Sequence, residues 1–225
     1  MIAGDLDAED AVQKVASAFQ GIPRGRESSR PKFSQRSGSG LRAIPLRNQE
    51  GTVGTAIAIG FRAPAWGTAD ALALDVLMAL LVDSPTSRTQ KRLNTGNAEF
   101  LHASAMRQLE TDGGTITLAY SVHPDSLQEA EGGLLATIEQ ARSTPIPSED
   151  FEMAVRTVLQ RELFARVDQS GVGRSTAISV LRGAPGADEV YVQRVKALRP
   201  EDLIAVARKY LDVKQAILVV MGPDD

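Results

Sequence analysis

This 225-residue chain has few residues that could bind a metal ion. The sequence has no cysteine and only two histidines, His102 and His123. A zinc site without thiolates generally relies on imidazole ligands. In an H-x-x-E-H motif, two histidines lie on one helix face beside a glutamate that acts on bound water, and this spacing does not occur here. The two histidines can still meet across a predicted hairpin, but without a well-placed carboxylate. We expect no metal ligands and no catalytic residue in this chain.

Nucleophile and phosphate motifs give no better candidates. The sequence lacks G-x-S-x-G, and Gly38-Ser39-Gly40 falls in a stretch typical of a flexible linker. Gly113-Gly114 is predicted to form a hairpin turn and Gly132-Gly133 to lie in a helix, and neither pair is followed by the Lys-Ser/Thr of a P-loop. The acidic pairs Glu149-Asp150 and Glu201-Asp202 fall at predicted helix starts, where negative charge favours the helix.

The charge balance provides no footprint for nucleic acid or for an anionic membrane. The chain has 25 basic and 28 acidic residues and a net charge of -3. Basic residues between Arg24 and Arg47 stand among Ser, Gly and Pro, which favours a solvated linker over a binding patch. No apolar run reaches the roughly 18 residues that a membrane span needs. We therefore expect no nucleic-acid partner and no membrane span.

The elements that must position any site follow from hydrophobic periodicity. The first two predicted strands are expected to pair as neighbours, and the third and fourth to form a hairpin. Strands concentrated in the first half and helices in the second indicate an α+β fold, a two-layer sandwich of a mainly antiparallel sheet with helices on one face. The predicted strands are 41–47, 53–62, 98–106, 115–122 and 216–221, and the main predicted helices are 69–82, 126–142, 148–167 and 200–211.

Similarity between two segments of the sequence suggests where the domain begins. The start of the chain, residues 1–7, resembles residues 216–225, because each is an apolar run that ends at glycine and acid. Asp7 is a suitable N-cap for a helix over 8–20. We interpret residues 1–24 as the terminal strand and helix of a preceding copy of the domain. Residues 25–40 are then a linker, and residues 41–225 a complete domain.

The order of several short segments resembles the second, inactive domain of the insulinase/pitrilysin zinc peptidases. The run Gly60-Phe-Arg-Ala-Pro-Ala is followed by a helix with Ala73-Leu-Asp-Val-Leu, and then by Ser87-Arg88 before Leu93. The resemblance continues nearly to the end of the chain. The later segments are Pro147-Ser-Glu-Asp-Phe, Val195-Lys-Ala-Leu-Arg-Pro, Ala207-Arg-Lys-Tyr-Leu and Ile217-Leu-Val-Val-Met-Gly-Pro.

This resemblance implies a metallopeptidase-half architecture like that of the mitochondrial processing peptidases. In such proteins the zinc belongs to one half, and the other half supplies walls and substrate contacts. The implied partners are therefore a zinc-bearing half, in the same polypeptide or as a separate subunit, and a peptide substrate. Active relatives carry an arginine and a tyrosine that hold the substrate carbonyl, and alignment on Leu93 places Asn94 and Leu101 there instead. Bacterial relatives are often exported, which favours a periplasmic location.

The resemblance also places the segment after Ser87 near the substrate chamber. Arg88, Arg92 and Phe100 are the candidate substrate-binding residues, and the alternative is that the arginines lie on a solvated helix face and Phe100 in the core. Two other functions stay open at this point. One is a degenerate family member that acts as a structural or assembly subunit, and the other is a binding module unrelated to proteolysis.

Overall fold

Five β-strands form one sheet in the computed structural model, which describes residues 2–26, 42–47, 55–89, 91 and 100–222. The strands are β1 (Arg42–Arg47), β2 (Thr55–Ala63), β3 (Phe100–Glu110), β4 (Gly113–Val122) and β5 (Ile217–Gly222). Their order across the sheet is β1-β5-β2-β4-β3. Neighbouring strands are antiparallel except β1 and β5, which are parallel. The predicted mainly antiparallel sheet is confirmed.

Seven α-helices of the described chain pack with this sheet or extend from it. Thr68 and Asp168 cap two of them, since their side-chain oxygens accept the backbone N–H groups of Ala71 and Gly171. No helix among the described residues is long and apolar enough to cross a membrane. The helices are α1 (Ala8–Phe19), α2 (Ala69–Met78), α3 (Leu127–Ser143), α4 (Ser148–Ala165), α5 (Gln169–Leu181), α6 (Ala187–Lys196) and α7 (Pro200–Tyr210).

Alternating burial shows that the helices cover one face of the sheet. Along β2, every second residue is buried from Thr55 to Ala63, and the residues between them are partly exposed. The buried side chains Ile57 and Ile59 lie beside Tyr120 and Leu118 of β4, and α3 and α7 pack on this face. This two-layer arrangement confirms the fold class that the sequence predicts.

Helix α2 is the centre of the core. Its residues Leu74, Val76, Leu77 and Met78 have no exposed surface, so the helix is buried on most sides, as its apolar sequence predicts. A π-helical turn, Ala79–Asp83, continues it. The predicted helix over 69–82 is therefore present, but its last turn is wider than an α-helical turn.

Two details of the fold differ from the sequence prediction. Strands β1 and β2 are not neighbours, because β5 lies between them. The run Ile217–Met221 is apolar on both faces, which suits an interior position better than an edge. Helix α6 was not predicted, since half of its residues are polar and, among its described side chains, only Val195 is fully buried.

Candidate substrate-facing surface

The sheet face opposite the helices, called the open face below, has small side chains in its middle. Ala58 of β2 pairs with Ala119 of β4, and Ala119 pairs with Ser104 of β3. All three residues are partly exposed. Gly60 has no side chain, and a Cβ atom there would meet nothing closer than 3.9 Å. Because these side chains are short, the middle of the open face is flat.

Larger side chains border this flat region. Met106 on β3 is 57% exposed and Ile217 on β5 is 45% exposed. Thr117 and Ser121 of β4 add hydroxyl groups on the same face. These groups can offer van der Waals contacts and hydrogen bonds to a molecule that lies along this face.

Strand β3 forms one edge of the described sheet. It pairs with β4 along its length and has no second strand neighbour in the part of the chain that the structure describes. An edge strand presents main-chain N–H and C=O groups that an extended peptide can pair with. The open face and this edge therefore adjoin each other along β3.

The segment that carries Arg88 is fixed on the helix side of the sheet. Thr89 and Tyr120 share a buried hydrogen bond of 2.7 Å between their hydroxyl oxygens. The backbone N–H of Lys91 donates to the carbonyl of Ser87, so a helical turn forms here. The Lys91 ammonium also pairs with Asp150 at the start of α4. These contacts hold Ser87, Thr89 and Lys91 between the sheet and α4.

Arg88 is partly buried next to Asp150. Burial lowers the pKa of its guanidinium, and the nearby Asp150 carboxylate raises that pKa in part. Its Nη1 atom is buried and has no hydrogen-bond partner among the described residues. A buried donor of this kind is costly unless water or another group satisfies it. The geometry thus leaves Arg88 with an unused donor, and its contact with substrate stays a prediction.

The other two predicted site residues lie wholly or partly outside the described residues. Arg92 lies wholly outside them. So does Asn94, which the alignment places at the position of the family arginine. Phe100 begins β3 opposite Val122, but its side chain is not among those described, and the same holds for the side chain of Leu101. Of the three candidates, only the side chain of Arg88 lies within the described residues.

The histidines lie at the β3–β4 hairpin, as the sequence predicts. His102 is exposed and pairs in register with Ser121, and His123 follows the end of β4. The Nδ1 atom of His123 lies 3.4 Å from a carboxylate oxygen of Asp125, which is itself highly exposed. Among the described residues, no group of three or more His, Cys, Asp or Glu side chains is placed to hold a metal ion.

The sequence did not predict a cluster of charged side chains on the helix side of the sheet. Arg107 of β3 and Arg161 of α4 each contact both Asp75 and Asp83. The Tyr191 hydroxyl donates to Asp75 over 2.9 Å, and burial together with the Asp75 charge raises the pKa of Tyr191. Two acids inside an otherwise apolar helical run were the signal, because acids in such a run need partners.

Comparison with known proteins decides the family. The family model described as the Peptidase M16 inactive domain matches residues 1–158. The chain belongs to the M16 peptidase family. The resemblance to the inactive domain of the insulinase/pitrilysin peptidases is thereby confirmed. No curated protein matches the sequence.

Solved structures share the fold of this M16 inactive domain at low sequence identity. A Helicobacter pylori protease has a TM-score of 0.85 at 19% identity, over 98% of this chain and 54% of that one. A Peptidase M16 inactive domain from Pseudomonas fluorescens has a TM-score of 0.83 at 13% identity, over 99% and 52%. This chain therefore spans about half the length of these relatives.

A third structure is shorter than this chain. It is an inactive peptidase domain assigned to a zinc protease of Bordetella parapertussis, with a TM-score of 0.69 at 22% identity. The match covers 80% of this chain and 95% of that one. A fold of this kind thus occurs in a polypeptide that lacks a counterpart to about a fifth of the present chain.

Proposed function

We propose that this M16 domain is the non-catalytic half of an insulinase-type zinc metallopeptidase. Its open face forms a wall of the peptide-binding chamber opposite the zinc-bearing half. The observation that carries this proposal is the flat, partly exposed sheet face centred on Ala58, Ala119 and Ser104. A sheet face that helices leave uncovered is suited to lie along an extended polypeptide.

The chemistry of the open face supports a wall rather than a catalytic role. Its apolar rim at Met106 and Ile217 and its hydroxyl groups give contacts of low specificity, which suit peptides of varied sequence. The outer edge of β3 adds main-chain hydrogen-bonding groups beside that face. A peptide paired with this edge would have every second side chain on the open face.

Zinc does not fit the described residues of this chain, since they hold no cluster of three potential ligands. We place the metal, and with it the hydrolytic step, in the partner half. What the present chain contributes is binding and orientation of the peptide. No step of bond cleavage is assigned to its residues.

The proposal extends to the domain organisation. Residues 1–24 are the terminal strand and helix of the preceding half, 25–40 are the linker, and 41–225 are the inactive half. Helix α1 supports this division because none of its residues is buried in the described structure.

A metal and activity assay tests the proposed function. The purified chain is expected to retain less than about 0.1 zinc per molecule after dialysis and to cleave no peptide, because its histidines are isolated. The chain combined with its zinc-bearing half is expected to cleave peptides, while the zinc-bearing half alone does not. Tightly held stoichiometric zinc in the isolated chain contradicts the proposal. An inactive but stable combination indicates an assembly subunit instead.

The predicted arginine contacts are tested in the same combination. Replacing Arg88 and Arg92 together by alanine is expected to raise the KM for peptide about three- to tenfold, the loss of one or two charge-assisted hydrogen bonds. Arg156→Ala is the matched control, since Arg156 is an exposed arginine of α4 in the helix layer, and it is expected to leave KM unchanged. Unchanged KM and kcat in a normally folded double variant would remove both arginines from the site.

A further inference from the structure

The N-terminal segment touches the body of the domain at a glycine. Gly173 of α5 is buried, and a Cβ atom placed there would lie only 3.1 Å from the Cβ of Ala3. One helical turn earlier, a Cβ atom added to Gly4 would lie 3.7 Å from Oε1 of Gln169. The first residues of the chain therefore lie along the outer face of α5, and Gly173 provides the room for Ala3.

The helix that follows this segment has an uncovered apolar face. Val12 and Phe19 of α1 are 67% and 62% exposed. Side chains of Ile2, Leu6, Val12 and Val15 line an open groove of about 460 Å³ with alanines between them. A strongly amphipathic helix with its apolar side exposed favours burial against another surface.

The similarity between the two ends of the sequence indicates which surface covers the apolar face of α1. Residues 217–222 form β5, which has strand neighbours on both sides. The similar run at residues 2–4 has no strand neighbour in the part of the chain that the structure describes. The Helicobacter pylori and Pseudomonas fluorescens structures of the same fold are about twice as long, which leaves room for a second half with its own sheet.

We propose that the outer face of α5, centred on Gly173, is the joint at which this domain binds the preceding, zinc-bearing half. Residues 2–4 are a strand of that half's sheet, and α1 packs on the same half through its apolar face. Close contact between Ala3 and Gly173 then fixes how the two halves are placed. This inference rests on the proposed function and names the surface on this domain that the partner uses.

Disulfide trapping tests the contact in the chain itself. The sequence has no cysteine, so Ala3→Cys with Gly173→Cys introduces the only thiols. A disulfide needs Cβ atoms about 3.5–4.5 Å apart, within a small shift of the 3.1 Å that would separate a Cβ added at Gly173 from that of Ala3. We expect most molecules to form the bond under mild oxidation. Ala3→Cys with Gly132→Cys is the control and is expected to stay reduced, since nothing lies within 4 Å of a Cβ at Gly132.

Calorimetry of the complete two-half protein tests the joint. Two halves that are firmly docked unfold in one transition, and undocked halves unfold separately. Gly173→Leu displaces Ala3 and is expected to split the transition in two, while Gly132→Leu on α3 leaves it single. Gly173→Ala is the milder variant and is expected to have a smaller effect.

The possible results separate this inference from the proposed function. Failure of the disulfide to form in the Ala3→Cys, Gly173→Cys variant, or identical unfolding of the two leucine variants, overturns the joint. A preceding half that holds no zinc overturns the proposed function, while the disulfide still forms if the joint is correct. Formation of the bond together with a split transition in Gly173→Leu supports the joint.

Discussion

Replacing Arg107 with alanine is expected to lower the free energy of unfolding by about 2–4 kcal/mol. Its Nε atom lies 3.0 Å from Asp75, and its Nη1 atom 2.9 Å from Asp83. These contacts hold β3 against α2 and the π-helical turn. Without Arg107, Asp75 and Asp83 keep one cationic partner among the described residues. This partner is Arg161, which is more exposed. Urea unfolding followed by circular dichroism measures the change.

The neighbouring residue supplies a matched control. Gln108 follows Arg107 on the same strand, but its side chain is exposed on the open face. Gln108→Ala is expected to change stability by less than about 0.5 kcal/mol. Arg107→Lys is expected to fall between the two, because an ammonium keeps the charge but not the two-pronged contact. Equal stability of the Arg107 and Gln108 alanine variants would contradict a structural role for the cluster.

If the open face is a wall of the peptide chamber, as proposed, replacing Ala119 with tryptophan is expected to lower kcat/KM for peptide cleavage by the complete two-half protein at least about tenfold, a loss of about 1.4 kcal/mol in transition-state binding. Ala119 lies between Ala58 and Ser104 in the flat middle of the open face. An indole there projects from the sheet into the space that the peptide would occupy. The fold is expected to persist, since no described helix packs on this face.

The control for this variant is Ala165→Trp, at the exposed end of α4 in the helix layer. It adds the same side chain away from the open face and is expected to leave cleavage unchanged. Thermal unfolding of both variants separates misfolding from a blocked chamber. Normal cleavage by a folded Ala119→Trp enzyme would show that the open face does not bind substrate.

Period-two alternation made the two-layer fold predictable from the sequence. The side chains of Ile57, Ile59 and Phe61 are buried, and the residues between them are small, so the strand and its covered face follow from local pattern alone. Helix caps such as Thr68 also follow from local sequence. Local pattern does not predict the strand order. Strand β5, from the far end of the chain, lies between β1 and β2.

The charge cluster and the surroundings of Arg88 were less predictable, because their contacts join residues that are far apart in the sequence. Asp75 and Asp83 find their cationic partners on β3 and α4, 24 to 86 residues away in sequence. Family resemblance directed attention to Arg88, but only the structure shows that one of its donors is buried beside Asp150. The open face consists of the residues that alternate with the core, and local pattern alone does not distinguish a binding face from a solvated one.

Photo-cross-linking of a bound peptide tests the central claim most directly. A substrate peptide with a photoreactive side chain is bound to the complete two-half protein, irradiated, and the adducts are mapped by mass spectrometry. If the open face is a wall of the substrate chamber, adducts on this domain fall on residues such as Ser104, Met106 and Thr117. Adducts confined to the zinc-bearing half, or to helix-layer residues of this domain other than Arg88 and Arg92, would contradict the account.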